Sequence, residues 1–278
     1  LAELGIADTI AMARLADEEI QLGRGSRRYA AVVCDEVQDC TGSELRLLAA
    51  LASEIGSRTV RPNGLTIVGD GFQRLHASPV VLSRSGIEVR GRSHRLQVSY
   101  RTTEGIRRAA VQQVATIPPD PLDRTAEEGE DAPLDGFRSL LAGRPPQHRW
   151  FATEGEEVAF LRDLWLDGDG GLLVLTRTAA DRDRIADGLR GLADGTEPVV
   201  LRAETVSDPD RAGLTVCTIQ RSKGLEAPRV AIAGAQHLRA FVDGPERASA
   251  HECRLAYTAM TRCRDRLAVT GVGSPPTA

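Results

Sequence analysis

Apolar positions along this chain follow two alternating rhythms. One is helical: Ile6, Ile10, Ala13, Ala16 and Ile20 recur at intervals of three and four, then meet Gly23 and Gly25, which predicts an amphipathic helix over residues 6–22. The other is a short unbroken apolar run that stops abruptly. The run 30–34 ends at Asp35-Glu36, and the run 65–68 ends in Gly69, Asp70, Gly71, Phe72 and Gln73. Such runs read as buried parallel strands. Between them Leu45, Leu48, Leu51 and Ile55 share one face of a helix over 41–55, closed by Gly56. Residues 83–93 are punctuated by glycine and read as a hairpin or loop ahead of a strand at 96–98. A helix over 103–115 is stopped by Pro118-Pro119. From about 117 to 146 the chain is rich in proline, glycine and acid without periodicity, which reads as a surface connection. Beyond it, strands at 149–152, 172–176, 214–218, 230–233 and 267–270 alternate with helices over 156–166, 179–192 and about 245–259.

This alternation predicts an α/β fold built on parallel sheets with helices on both faces. A length of 278 residues suits two such domains, divided here as 1–97 and 98–278. Hydrophobic content of 41% and charged content of 27% are those of a globular protein. No apolar run approaches the ~20 residues that span a bilayer, and no secretory signal opens the chain, so a cytoplasmic protein without a membrane partner is expected. The five cysteines contain no Cys-x-x-Cys pair and the five histidines no ligand spacing, so neither a disulfide frame nor a zinc site is indicated. The net charge of −4 argues against a uniformly basic nucleic-acid coat but leaves room for a local basic groove. Leu1 falls inside a helical pattern, and a longer polypeptide is expected.

Candidate chemistry gathers where strands end. Open α/β sheets bind ligands beside the carboxyl ends of their strands, in the crevice the loops form. Two consecutive carboxylates there, Asp35 and Glu36, suit phosphoryl chemistry: one holds Mg²⁺, and the next orients or deprotonates an attacking water. The plainer alternative is that the pair caps the following helix.

Five stretches then fall in order. They are Asp35-Glu-Val-Gln-Asp39, Val68-Gly-Asp-Gly-Phe-Gln73, Tyr100-Arg101, Thr218-Ile-Gln-Arg-Ser-Lys-Gly-Leu-Glu226 and Arg254-Leu-Ala-Tyr-Thr-Ala-Met-Thr-Arg262. Together they resemble motifs of the UvrD/Rep class of superfamily 1 DNA helicases, from the Walker B box to the last arginine motif. The resemblance implies two RecA-like parallel-sheet domains, the first incomplete, in a P-loop NTPase-type helicase core. It implies ATP and Mg²⁺ as cofactors and single-stranded DNA as partner. Asp35 would hold the metal and Glu36 would activate the water. Gln73 would sense the γ-phosphate, and Arg101 and Arg262 would clamp it. Tyr100 would stack on adenine, Glu226 would accept from the ribose hydroxyls, and Gln38 and Gly224 belong with the nucleotide-binding positions. Asp70, His76, Thr218, Gln220 and Lys223 fall among positions that contact DNA or couple it to the nucleotide.

The chain departs from that pattern in three ways. A phosphate-gripping loop of the form Gly-x-x-x-x-Gly-Lys-Ser/Thr needs a lysine, and Lys223 is the only one in the chain. That half of the site is expected upstream in the same polypeptide or on a partner subunit, and this chain alone is expected to be inactive. After Gln73 the run is Arg74-Leu-His-Ala-Ser-Pro79, with His76 as its only stacking side chain. Lost base stacking weakens DNA grip by roughly 1–3 kcal/mol per base. Gln220 stands where the family has histidine. The function expected is thus the motor portion of an ATP-dependent DNA helicase or translocase acting in repair, recombination or defence. The alternative is a non-catalytic, degenerate ATPase module that binds a partner protein or nucleic acid.

Overall fold

The computed structural model describes residues 8–24, 29–54, 59–75, 81–89, 91–118, 136–202 and 213–276. The chain divides into two compact units, one of Leu1–Arg95 with Pro118–Pro133, the other of Leu96–Ile117 with Leu134–Ala278.

In the first unit, helix α1 (Thr9–Gln21) starts where the Asp8 carboxylate accepts the Ala11 N–H at 2.7 Å. Strand β1 (Val32–Cys34) leads through a 3-10 turn, Val37–Asp39, into helix α2 (Gly42–Leu51). Helix α2 opens with a reciprocal cap: Thr41 Oγ1 accepts the Glu44 N–H, and Glu44 accepts the Thr41 N–H. Strand β2 (Leu65–Ile67) then pairs with β1 in parallel, Val32 opposite Leu65 and Cys34 opposite Ile67. Val37, Leu45, Ala49, Leu82 and Ile87 form the core beneath this sheet. The segment read as a hairpin or loop carries a 3-10 turn, Leu82–Ser85, closed by Gly86 at φ 79.

One expectation is corrected here. The run 30–34 was expected to form a buried strand, yet Val33 is 74% exposed and its register partner Thr66 is exposed as well. The period-2 alternation of a strand sends Val33 away from the side that α2 covers.

The second unit is built on six parallel strands. In chain order it contains β3 (Val98–Ser99), α3 (Glu104–Val114), β4 (Arg138–Ser139), β5 (Gln147–Phe151), α4 (Glu154–Leu166), β6 (Leu172–Thr176), α5 (Ala179–Gly188) and β7 (Val199–Val200). There follow β8 (Leu214–Thr218), β9 (Ala227–Ala233), α6 (Arg239–Val242), α7 (Ala250–Thr261) and β10 (Cys263–Val272). The sheet order is β5-β10-β9-β6-β8-β7, and β3 pairs with β4 in a separate parallel ribbon. Register places Val174, Val216, Ala231 and Ala268 in one row. That row packs against Leu161 of α4, Ile185 of α5 and Leu189 just past the end of α5. The alternate positions Leu173, Leu175, Val230, Ile232 and Val269 are buried too, and α7 packs on β9 and β10 with α3 beside it. Both faces are therefore covered, and every residue of β6 is buried.

Glu157 and Arg229 are charged groups inside this core. Glu157 is fully buried and accepts from the Gly234 N–H at 2.9 Å, Thr270 Oγ1 at 2.8 Å and Arg184 Nη2 at 2.9 Å. Arg229 is buried at the end of α4, donates to the carbonyls of Leu164 and Gly170, and sits 5.7 Å from the Trp165 ring centre. Among the described residues no helix is long and apolar enough to cross a membrane.

Candidate functional site

The parallel register of β1 and β2 brings two polar strand ends side by side. Asp35 follows β1, and the Val37 N–H reaches the Val68 carbonyl at 3.0 Å, so the two exits stay in contact after the strands stop. Asp35 and Glu36 are exposed, and Asp35 Oδ1 accepts the Glu36 N–H at 2.8 Å. Glu36 has φ 55 and ψ 37, a left-handed backbone that costs an ordinary side chain energy. Its side chain makes no capping bond to the turn that follows, and α2 is capped by Thr41 instead. The plain capping reading of the acid pair therefore loses its support.

Gln38 links the two ends. It is fully buried; its Nε2 donates to Glu36 Oε2, and its Oε1 accepts the Asp70 N–H at 3.1 Å. Asp70 in turn accepts from the Phe72 N–H at 3.0 Å and from Gln73 Nε2 at 2.9 Å. A continuous chain thus runs Glu36, Gln38, Asp70, Gln73. Gly69 permits it, because a Cβ there would stand 2.5 Å from Gln38 Oε1 and 2.7 Å from Val37 Cγ1. His76 lies outside the described residues.

In the second unit, three chain segments meet at the amino edge of the sheet. Glu226 immediately precedes β9 and Arg262 immediately precedes β10. The Ala227 N–H donates to the Arg262 carbonyl at 3.1 Å, and the Thr103 N–H to the Arg264 carbonyl at 3.1 Å. Glu226 receives two guanidinium groups, Arg101 Nε at 2.7 Å and Arg264 Nη2. The Arg101 side chain stays 57% exposed and Tyr100 is 74% exposed. Arg262, in contrast, is only 4% exposed, and its Nε donates back to the Thr258 carbonyl at 3.3 Å at the end of α7. A cation at a helix carboxyl end is favoured by the helix dipole.

Glu104 ties α3 to β4 a few residues beyond Arg101. It accepts from Arg107 at 2.7 Å in its own helix and from the Ser139 N–H of β4 at 2.9 Å. Those bonds, the one from Arg107 foremost, lower its carboxyl to about 2.

The remaining predicted positions sit elsewhere. Thr218 ends β8 at the carboxyl edge, and Gln220 lies in the 3-10 turn after it, at the opposite strand ends from Glu226. Lys223 is half-buried, and Gly224 follows at φ 73, a turn that favours glycine. Arg264, Arg229 and Glu157 were not singled out from the sequence. Only the spacing of Arg264, two residues past Arg262, hints at its part, since each of these roles depends on partners distant in the chain.

The class defined by this fold is a two-unit α/β chain whose second unit is a six-stranded, all-parallel sheet with helices on both faces. No family model and no curated protein matches the chain. Among solved structures it is similar to the C-terminal domain of a possible DNA helicase from Lactobacillus plantarum, with 17% identity over 64% of this chain and 90% of that one, at a TM-score of 0.44.

Proposed function

We propose that this chain is the later portion of an ATP-dependent DNA motor of the UvrD/Rep kind, acting on single-stranded DNA. The observation that carries the reading is the hydrogen-bonded chain Glu36, Gln38, Asp70, Gln73, which ties a candidate base to a candidate phosphate sensor through a buried amide. A left-handed glutamate at the start of that chain supports it, because backbone strain concentrates at working sites.

The donors suit a metal bound mainly by phosphate. Among the described residues no group of three His, Cys, Asp or Glu side chains could hold a metal. Mg²⁺ needs only one or two carboxylates when phosphate and water complete its shell, and Asp35 is the carboxylate we assign to it. Bound Mg-ATP would supply the phosphoryl group and the neutralising charge. Glu36 orients and deprotonates the attacking water. Gln73 reads the state of the phosphate, and a shift there passes through Asp70 and Gln38 to the base. Arg101 and Arg262 contribute positive charge to the transferring group, Arg101 after leaving Glu226, which is then free to accept from a ribose. Tyr100 offers its face to the base. Thr218, Gln220 and Lys223 are assigned to the DNA backbone. The phosphate-gripping loop comes from another segment or subunit, because the single lysine lies in the fourth stretch.

The test is ATP hydrolysis by this chain extended upstream to include a phosphate-gripping loop. Single-stranded DNA is expected to accelerate turnover, and Glu36→Gln to lower it by about 10²–10⁴-fold. Turnover unchanged in Glu36→Gln would remove the base assignment. No hydrolysis with or without DNA would favour the non-catalytic module, for which the missing lysine is the supporting observation.

A further inference from the structure

We propose that Cys34 and Cys40 form a redox pair whose disulfide closes a ring around the loop carrying Asp35, Glu36, Gln38 and Asp39. The two sulfurs are 3.9 Å apart, on either side of the left-handed Glu36. Cys34 ends β1, and Cys40 ends the 3-10 turn that follows. Both are half-buried, whereas Cys217, Cys253 and Cys263 are buried in the second unit. To bond, the sulfurs must close from this contact to about 2 Å. The pair exists whether or not the loop serves a nucleotide, so this inference stands apart from the functional reading.

The exchange begins when one of the two sulfurs acts as its thiolate. It attacks one sulfur of a low-molecular-weight disulfide, and the other sulfur leaves as a thiolate. The other cysteine, as a thiolate in its turn, attacks the capped sulfur and expels the second thiolate. The two protons from Cys34 and Cys40 end on the released thiols, so one small disulfide is reduced as one protein disulfide forms. The ring spans residues 34–40 and holds the acid loop against β1.

The experiment uses the full chain, oxidised glutathione as the oxidant, and alkylation followed by trypsin. Residues 29–46 form one tryptic peptide that carries both cysteines. Oxidation is expected to make that peptide lighter by two hydrogens than its dithiol form, with loss of alkylation at both positions together and recovery in dithiothreitol. Cys34→Ser and Cys40→Ser are each expected to abolish the ring, leaving at most a glutathione adduct on the remaining thiol. Hydrogen exchange of the 35–39 amides is expected to slow in the oxidised chain. Both thiols still alkylated, one blocked without the other in the unaltered chain, or exchange that ignores oxidation would each overturn the proposal.

Discussion

The side-chain oxygen of Gln38 accepts the Asp70 N–H at 3.1 Å, which adds a side-chain link to the backbone bond from Val37 to Val68 between the exits of β1 and β2. Glutamine suits the position because the same buried amide also donates to Glu36, so both ends of the side chain are satisfied without a buried charge. A carboxylate there would face Glu36, and an apolar residue would leave the Asp70 N–H without this acceptor.

Replacing Gln38 with alanine is expected to lower the stability of the first unit by about 1–3 kcal/mol, the usual effect of orphaning a buried polar group. Gly69→Ala is expected to destabilise by a similar amount, because its Cβ would stand 2.5 Å from Gln38 Oε1. The two substitutions share a cause. In a double-mutant cycle followed by urea unfolding, their combined effect should fall short of the sum; full additivity would mean that Gly69 does not act through Gln38.

Lowering pH should loosen the tie that Glu104 makes between α3 and β4. The folded-state carboxyl of Glu104 lies at about 2, below its ordinary value, so the stability it contributes is complete above about pH 4.5 and is lost as pH falls toward 2. Thermal unfolding between those limits should show a weaker pH dependence in Glu104→Gln than in the unaltered chain. Equal slopes would show that Arg107 and the Ser139 N–H do not hold the ionised form.

How much could be read in advance depended on how local the cause was. Helix α3 and strands β6 and β8 came out close to their expected bounds, since periodicity, stop signals and unbroken apolar runs act within a few residues. The two-residue strands β4 and β7 carry no period, and they exist because β3 and β8 present edges to pair with. Helices α5 and α7 came out shorter than read, ending at Gly188 and starting after Ser249. The acid loop was visible as residue types, but the buried amide that joins its two halves was not, because Gln38 meets Asp70 only once β1 and β2 have paired. Likewise the sequence pairs Arg101 with Arg262, whereas the fold places Arg101 and Arg264 on the shared carboxylate of Glu226.

Arg229 illustrates a charge kept for shape. Among the described residues it forms no ion pair; it donates to the carbonyls of Leu164 near the end of α4 and Gly170 in the turn beyond, and burial lowers its pKa. A Cβ on Gly168 would run into its guanidinium at 2.1 Å, so the turn after α4 is fitted around it. Arg229→Met keeps the volume but orphans those carbonyls, and a loss of about 1–3 kcal/mol is expected in thermal or urea unfolding. A neutral result would mean that water replaces the guanidinium there.

Glu36 offers the sharpest separation of stability from chemistry. Glycine and alanine both remove its carboxylate and the bond from Gln38, so neither variant should support hydrolysis if Glu36 is the base. They differ in one respect, the left-handed backbone at φ 55, which glycine accepts readily and alanine does not. Glu36→Gly should therefore be more stable than Glu36→Ala by about 1 kcal/mol in equilibrium unfolding, after allowing for the greater freedom glycine gives the unfolded chain. The usual ranking in strands and helices is the reverse, with alanine ahead. Finding alanine ahead here too would mean that the loop relaxes to an ordinary backbone once the carboxylate is gone, and that the strain at Glu36 is imposed by its own hydrogen bonds rather than by the crossing of β1 into the turn.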